Sequence, residues 1–245
     1  TESCKNMVET IDPINTLIEV VLEIRFKPCV KVEMSFQRLF NKISDLFEDI
    51  ETLPIDSAPD VIKRQPNFQF APYRRYVKCK EDQNYTVLQG PSMIAVSSAP
   101  CYCGWECFYC FASKVLIRAI EASIFNKIDR IGFKLVNFVP RDVFYGDLDF
   151  KVTINDSEIP YEETMIRTVL RNEFKPEVLS ILQISNSATY NGAQGPKLGS
   201  VIDIDTIYSP KEGFDSLDKE ILDNVHSVGK GIYRRIVTEQ FIKSC

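Results

Sequence analysis

The spacing of apolar side chains along the chain predicts groups of strands that alternate with helices. Residues 17–26 alternate between apolar side chains and partly charged ones, which is typical of a strand with one buried face. In residues 36–50 the apolar side chains recur at every third or fourth position instead. This spacing predicts an amphipathic helix, with Ser35 as the residue that caps its first turn.

The rest of the chain divides in the same way. Turn residues separate three short apolar segments, and a helix that is apolar nearly all round follows them. The second half contains two strands, a helix, a hairpin and a long final helix. The further predicted strands are residues 68–78, 85–89, 93–98, 129–139, 148–154, 178–185 and 198–207, and the further predicted helices are residues 104–126, 161–174 and 217–243.

The order of these elements, β-α-β-β-β-α-β-β-α-β-β-α, predicts the fold class. Strands that arrive in neighbouring runs favour an α+β fold, with a mostly antiparallel sheet and helices packed on one of its faces. No low-complexity linker interrupts the chain, so we expect one domain over residues 13–245 after an N-terminal tail of residues 1–12. The halves 13–127 and 128–245 have a loosely similar element order, which leaves a duplication as an alternative.

Composition and charge narrow the class of protein. The chain has 245 residues, of which 44% are hydrophobic and 26% charged, and this ordinary globular usage excludes disordered and collagen-like proteins. A formal net charge of −5 argues against a dedicated binder of duplex DNA. Without an apolar signal core or a membrane segment, we expect a cytoplasmic location, where the eight cysteines would be free thiols.

Four of these cysteines fall within ten residues. Cys103, Cys107 and Cys110 have a spacing that is typical of iron–sulfur sites, and Cys101 completes a set of four thiolates for Zn²⁺. Buried free cysteines are common packing residues, and these would lie at the start of a helix. We therefore expect no cofactor, with Zn²⁺ or an iron–sulfur cluster as alternatives.

Carboxylates on the predicted strands form a second candidate site. Glu19 and Glu23 share one face of the first strand, and Asp203 and Asp205 share one face of a late strand. Such pairs can jointly hold Mg²⁺. With cations from neighbouring strands they would line a site for a phosphate-rich ligand, whereas the alternative is a solvated face of ion pairs. The cations are Arg25, Arg130 and Lys134.

A stretch that mixes aromatic and basic residues is a candidate for binding single-stranded nucleic acid. Its rings would stack on bases and its cations would neutralise phosphates. The alternative is a strand whose rings are buried and whose cations face water, and the overall acidity of the chain favours it. The stretch contains Tyr73, Arg74, Arg75, Tyr76 and Lys78.

Five short motifs occur in an order that resembles a known protein family. They are Pro13 followed by Glu23-Ile24-Arg25-Phe26, the group Tyr102, Gly104, Trp105, Glu106 and Phe108, the group Arg130, Gly132, Lys134 and Asn137, the pair Asp203 and Asp205, and a final helix with His226 and Thr238. The family is distributed sporadically among bacteria and some archaea and has no established biochemical function. Lys134 stands where the family pattern has arginine.

The resemblance implies one α+β domain and adds candidate ligand- or anion-binding residues. These are Trp105, Glu106, Asn137 and His226, beside Arg25, Arg130 and Lys134. As the only histidine, His226 is also the only candidate for histidine-based catalysis. A histidine on an apolar helix face is more often a packing residue, so both roles remain open for it.

No Walker loop, nucleophile elbow or dinucleotide fingerprint occurs in the chain. We therefore expect a non-enzymatic protein that binds a protein partner, and the sporadic family points to a defence or toxin–antitoxin type of locus. The alternatives are a Mg²⁺-dependent enzyme that handles phosphates or nucleotides and a protein that binds single-stranded nucleic acid. The sequence leaves the oligomeric state open.

Overall fold

A large antiparallel sheet dominates the fold. The computed structural model describes residues 16–141, 143, 147–149, 153–158, 165–172, 177–192, 195–214, 216–239 and 241. Within these residues nine strands form the sheet and four helices accompany it, which confirms the α+β class. The predicted tail of residues 1–12 lies outside the described residues.

The elements are numbered in chain order. The strands of the first half are β1 (Leu17–Pro28), β2 (Phe47–Thr52), β3 (Arg74–Cys79), β4 (Tyr85–Gly90) and β5 (Met93–Ser98), and its helices are α1 (Val32–Ile43), α2 (Asp60–Lys63) and α3 (Trp105–Glu121). The second half has β6 (Phe125–Val139), β7 (Thr153–Ile154), β8 (Ser157–Glu158), β9 (Met165–Arg171), β10 (Val178–Gly192), β11 (Gly195–Tyr208) and α4 (Lys219–Ile236). The sheet order is β2-β3-β4-β5-β1-β6-β11-β10-β9, and β7 pairs with β8 separately.

The first strand lies at the centre of the sheet, between β5 and β6. Its predicted alternation is present: Val20, Leu22 and Ile24 are fully buried, while the residues between them are partly exposed. The buried residues belong to one cluster that also contains side chains from α1, α3 and the first turns of α4. The intervening residues point to the opposite face, and that face carries the charges.

The first predicted helix is shorter than its apolar spacing indicated. Helix α1 ends at Ile43, and Phe47–Thr52 forms strand β2 against β3. Ser35 is buried inside the helix, and Lys31 is the residue that precedes its first turn. Phe47 fits the helical spacing in the sequence, but in the structure it is the buried residue of strand β2.

The predicted helix at residues 161–174 is wrong, because Met165–Arg171 is strand β9. The segment also fits one side of a helix, because its apolar residues recur at that spacing: Met165, Ile166, Val169 and Leu170. The segment contains the β-branched residues Ile166, Thr168 and Val169, and β10 offers it a partner, so pairing overrides the local pattern. Within the predicted strand at 148–154, the described residues form an isolated bridge at Leu148 and the two-residue β7, and residues 150–152 lie outside the described residues.

None of the helices among the described residues is long and apolar enough to cross a membrane.

Candidate functional site

One face of three neighbouring strands brings together seven of the predicted site residues. Strand pairing places Arg25 of β1 opposite Arg130 of β6, and Lys134 of β6 opposite Asp205 of β11. Because residues two apart on a strand share a face, the remaining carboxylates lie on the same side. We call this surface the charged face, and it consists of Glu19, Glu23, Arg25, Arg130, Lys134, Asp203 and Asp205.

Each cation of the charged face has a carboxylate partner. Nε of Arg25 lies 2.5 Å from Oε1 of Glu23. Nη2 of Arg130 lies 3.0 Å from Oδ2 of Asp205, and Nζ of Lys134 lies 2.8 Å from Oδ2 of Asp203. Among the described residues the fourth carboxylate, Glu19, has no ion pair, so the face holds one surplus negative charge when all seven groups are ionised.

A glycine makes the Arg130–Asp205 pair possible. The guanidinium lies beside Gly132, where a Cβ would stand 3.3 Å from Nη2 of Arg130 and 3.4 Å from Oδ1 of Asp205. The missing side chain therefore lets the arginine reach the next strand. The sequence analysis did not predict this role for Gly132. A glycine inside a predicted strand could have indicated it, because such a glycine often marks a place where another group comes close to the backbone.

Partial burial controls the electrostatics of the charged face. Burial raises the pKa of Asp205 above its ordinary value, although Arg130 opposes this effect. Burial also lowers the pKa of Lys134, but the hydrogen bond to Asp203 and the attraction of the neighbouring carboxylates together outweigh it, so the net pKa is raised. Burial raises the pKa of Glu19, against the attraction of Lys134 and Arg75. Glu19 is therefore a partly desolvated carboxyl group.

Two polar atoms of this face are buried and have no hydrogen-bond partner in the part of the chain that the structure describes. They are Nε of Arg130, a donor, and Oδ1 of Asp203, an acceptor. Buried polar atoms are normally satisfied, so both atoms are local exceptions in the packing of this face. No group of three or more histidine, cysteine or acidic side chains is placed to hold a metal ion within the described residues.

The candidate Asn137 lies on the other face of β6. It is buried, with its Oδ1 accepting from the Thr16 hydroxyl and its Nδ2 donating to the Ile202 carbonyl. The Thr16 hydroxyl also lies 2.9 Å from the hydroxyl of Tyr233 in α4. Asn137 thus connects the sheet to the last helix and does not join the charged face.

Trp105, Glu106 and His226 meet where α3 and α4 begin. The rings of Trp105 and His226 are stacked with centroids 4.3 Å apart, and Phe133 of β6 packs edge-on against both. The indole Nε1 donates a 2.6 Å hydrogen bond to Asp223 of α4. Lys219 pairs with both Asp223 and Glu106. These contacts place Trp105 and His226 in the packing between two helices and the sheet, whereas Glu106 is exposed.

The burial of His226 predicts a pH dependence of stability. Burial lowers the pKa of His226 from 6.5 to about 4; Lys230 adds to this effect and Asp223 opposes it. Because the folded protein binds this proton less readily than the unfolded chain, the stabilisation is present above pH 6.5. We expect the free energy of unfolding of the wild type to fall by about 2 kcal/mol relative to that of His226→Phe as the pH falls from about 6.5 to 4. Urea unfolding curves of both proteins measure this difference. Parallel pH profiles of the two proteins would contradict this.

The cysteine-rich segment does not form a cluster of four thiols among the described residues. Cys103 and Cys107 both contact the hydroxyl of Tyr85, at 3.0 and 3.4 Å. Cys101 and Cys110 are exposed and do not join them in a group that could hold a metal. The spacing left a shared metal site as an alternative to free thiols, and the described residues bring only Cys103 and Cys107 to a common neighbour, at the start of helix α3.

The environment of Cys103 predicts low thiol reactivity. Cys103 is exposed, but partial desolvation of its thiol, with help from Cys107, raises the pKa of Cys103 to about 12. Alkylation requires the thiolate, so we expect iodoacetamide at pH 8 to modify Cys103 at least about tenfold more slowly than Cys101, which is also exposed. Peptide mass spectrometry over time measures both rates, and equal rates would contradict the assigned environment.

The basic and aromatic stretch is engaged within the protein. Tyr73 and Tyr76 are buried, and the Tyr76 hydroxyl donates a 2.8 Å hydrogen bond to Oε1 of Gln89. Each cation has an acidic partner: Arg74 pairs with Asp56, Arg75 with Glu51 and Lys78 with Asp49. The two rings are therefore not available for stacking on nucleic acid in this conformation.

No family model matches the chain, and no curated protein matches it. The resemblance to a sporadically distributed family therefore stays a prediction.

Proposed function

We propose that this protein is a non-enzymatic binding protein that recognises a protein partner on its charged face. The observation that carries the proposal is the internal pairing of that face. Three cations are each held within 3.0 Å of a carboxylate, and only Glu19 is left over.

This pairing disfavours a phosphate ligand. Sites for phosphates use cations that are free to form charge-assisted hydrogen bonds. Here a phosphate would have to displace Asp203 from Lys134 and Asp205 from Arg130, and it would meet the charge of Glu19. A polypeptide that brings both donors and acceptors matches the mixed charge of this face.

Glu19 specifies the chemistry of the partner. A lysine or arginine side chain would neutralise the surplus carboxylate and would gain from its partly desolvated surroundings. We also propose that the helices cover the other face of the sheet, which leaves the charged face accessible. The buried cluster that β1 shares with Leu39 of α1, Phe108 of α3 and Val225 of α4 supports this arrangement.

Selection from a displayed library of random peptides on the immobilised full chain tests the proposal. We expect the selected peptides to be enriched in lysine and arginine, and Glu19→Gln to weaken their binding by about tenfold. Glu121→Gln is the matched control, because it makes the same change on the exposed surface of α3. Equal binding to the wild type and Glu19→Gln would refute the proposal.

Thermal unfolding with nucleoside triphosphates separates this function from a Mg²⁺-dependent enzyme. We expect no change in Tm with any nucleotide, with or without Mg²⁺, because ligands stabilise only the state that binds them. A nucleotide-dependent rise in Tm that is lost in Lys134→Ala would replace the proposal with phosphate chemistry on the same face.

A further inference from the structure

Strand β9 forms one edge of the nine-stranded sheet. Among the described residues it pairs only with β10, so the backbone groups along its outer side have no strand partner there. Two apolar side chains on the same edge are exposed, with Met165 at 66% and Val169 at 46%. Exposed edge strands are templates on which another extended chain can add.

A groove runs beside this edge, under the second half of helix α4. The helix packs mainly on β11 and β6, and it leaves a space of about 670 Å³ next to β9 and β10. The lining is polar and apolar in about equal parts, and its apolar side chains include Leu170, Val178, Val228 and Ile232. A Cβ added at Gly231, which also lines the groove, would meet no atom within 4 Å.

The edge and the groove carry arginines that lack acidic partners. Arg167 and Arg171 of β9 and Arg235 of α4 form no ion pair within the described part of the chain. Seven other arginines do form one, and they are Arg25, Arg64, Arg74, Arg75, Arg118, Arg130 and Arg141. In a protein of net charge −5, three arginines without acidic partners favour an acidic occupant at this edge.

We propose that β9 accepts an extended acidic segment of a partner protein as an additional antiparallel strand. Backbone hydrogen bonds to β9 hold the segment, and its inward apolar side chains fill the groove beside Leu170 and Ile232. Its carboxylates, on the opposite side of the added strand, pair with Arg167 and Arg171, while Arg235 lies on the groove side. Arg167 is on the same side of the sheet as the charged face, two strands away from Asp203, but the proposal does not depend on the function proposed for that face.

The charges argue against a second copy of this chain as the occupant. An antiparallel pair of two β9 strands centred on Val169 places Arg167 of one copy opposite Arg171 of the other, and such like-charged pairs are destabilising. The acidic strand β2 forms the opposite edge of the sheet. All neighbouring strands in the sheet are antiparallel, so β2 and β9, at positions one and nine, point the same way. A second copy in the same orientation would therefore have to pair its β2 with β9 in parallel, which would not continue the antiparallel sheet.

Fluorescence polarisation with a labelled peptide of alternating glutamate and valine, eight residues long, tests the proposal on the full chain. We expect this peptide to bind and the matching lysine–valine peptide not to bind. The double variant Arg167→Glu/Arg171→Glu should weaken binding by at least about tenfold, and rising salt should weaken it further. Arg64→Glu makes the same charge change at an exposed site away from the edge and should have no effect.

Two further variants locate the bound peptide. Gly231→Leu places a side chain in open space within the groove, and leucine is a better helix former than glycine, so the fold is retained while the groove is filled. We expect this variant to lose binding by about tenfold or more. Glu19→Gln should leave binding unchanged, so this result is independent of the result for the charged face.

Hydrogen exchange of the amides in Met165–Arg171 provides a structural readout, with slower exchange expected when the peptide is bound. The proposal is overturned if the acidic peptide fails to bind at about 1 mM, or if Arg167→Glu/Arg171→Glu binds it as the wild type does. It is also overturned if light scattering shows self-association that this double variant abolishes, because the occupant would then be a second copy.

Discussion

Replacing Trp105 by alanine is expected to lower the free energy of unfolding by about 3–5 kcal/mol. The indole is only 6% exposed, stacks on His226 and packs against Phe133 and Tyr109. Its removal leaves a cavity between α3, α4 and β6 and deprives Asp223 of a hydrogen bond. Urea unfolding followed by circular dichroism measures the effect, since Trp105 is the only tryptophan and its fluorescence is lost.

Two variants separate packing from hydrogen bonding at Trp105. Trp105→Phe keeps an aromatic ring but cannot donate to Asp223, so we expect it to cost about 1–2 kcal/mol. A double-mutant cycle with His226→Ala should show a coupling of about 0.5–1.5 kcal/mol for the stacked rings. A loss below about 1 kcal/mol in Trp105→Ala would contradict a packing role for this motif.

Replacing Asp205 by alanine is expected to cost about 2–4 kcal/mol of stability. Asp205 and Arg130 form the most enclosed ion pair of the charged face, with side chains 25% and 17% exposed. Removing the carboxylate leaves the guanidinium desolvated and without a partner, in addition to the Nε atom that already lacks one. Chemical denaturation at pH 7 measures the loss.

The matched comparisons use a double variant and an exposed pair. Arg130→Met/Asp205→Ala removes the stranded charge, so it should recover most of the loss caused by Asp205→Ala alone. Asp49→Ala removes the carboxylate of an exposed pair with Lys78 and should leave stability nearly unchanged. Equal effects of Asp205→Ala and Asp49→Ala would show that burial does not strengthen the Arg130–Asp205 pair.

The charged face was within reach of sequence reasoning because it depends on strand alternation. Glu19, Glu23 and Arg25 alternate with buried apolar residues, and Asp203 and Asp205 do the same on β11. A period of two settles which residues share a face whatever the strand pairs with. The order of the strands was not predictable in this way, and it is the order that places Asp205 beside Arg130.

Segments with few buried residues were the ones predicted wrongly. In β2 only Phe47 is buried, and β9 has no fully buried residue, so neither carries a clear period of two. Both lie at the edges of the sheet, where one side of the backbone has no neighbouring strand among the described residues. Edge strands form because a neighbouring strand offers hydrogen bonds, and the local pattern of the edge strand itself does not show that neighbour.

The sequence by itself determined the α+β class, the buried face of β1 and the residues that share the charged face, since each follows from local periodicity. The tertiary structure alone decided the partners. It stacks Trp105 on His226, lets Arg130 pass Gly132 to reach Asp205, divides the four clustered cysteines and leaves β9 at an edge beside a groove. These contacts join residues far apart in the chain, and their geometry arises only when strands and helices pack together.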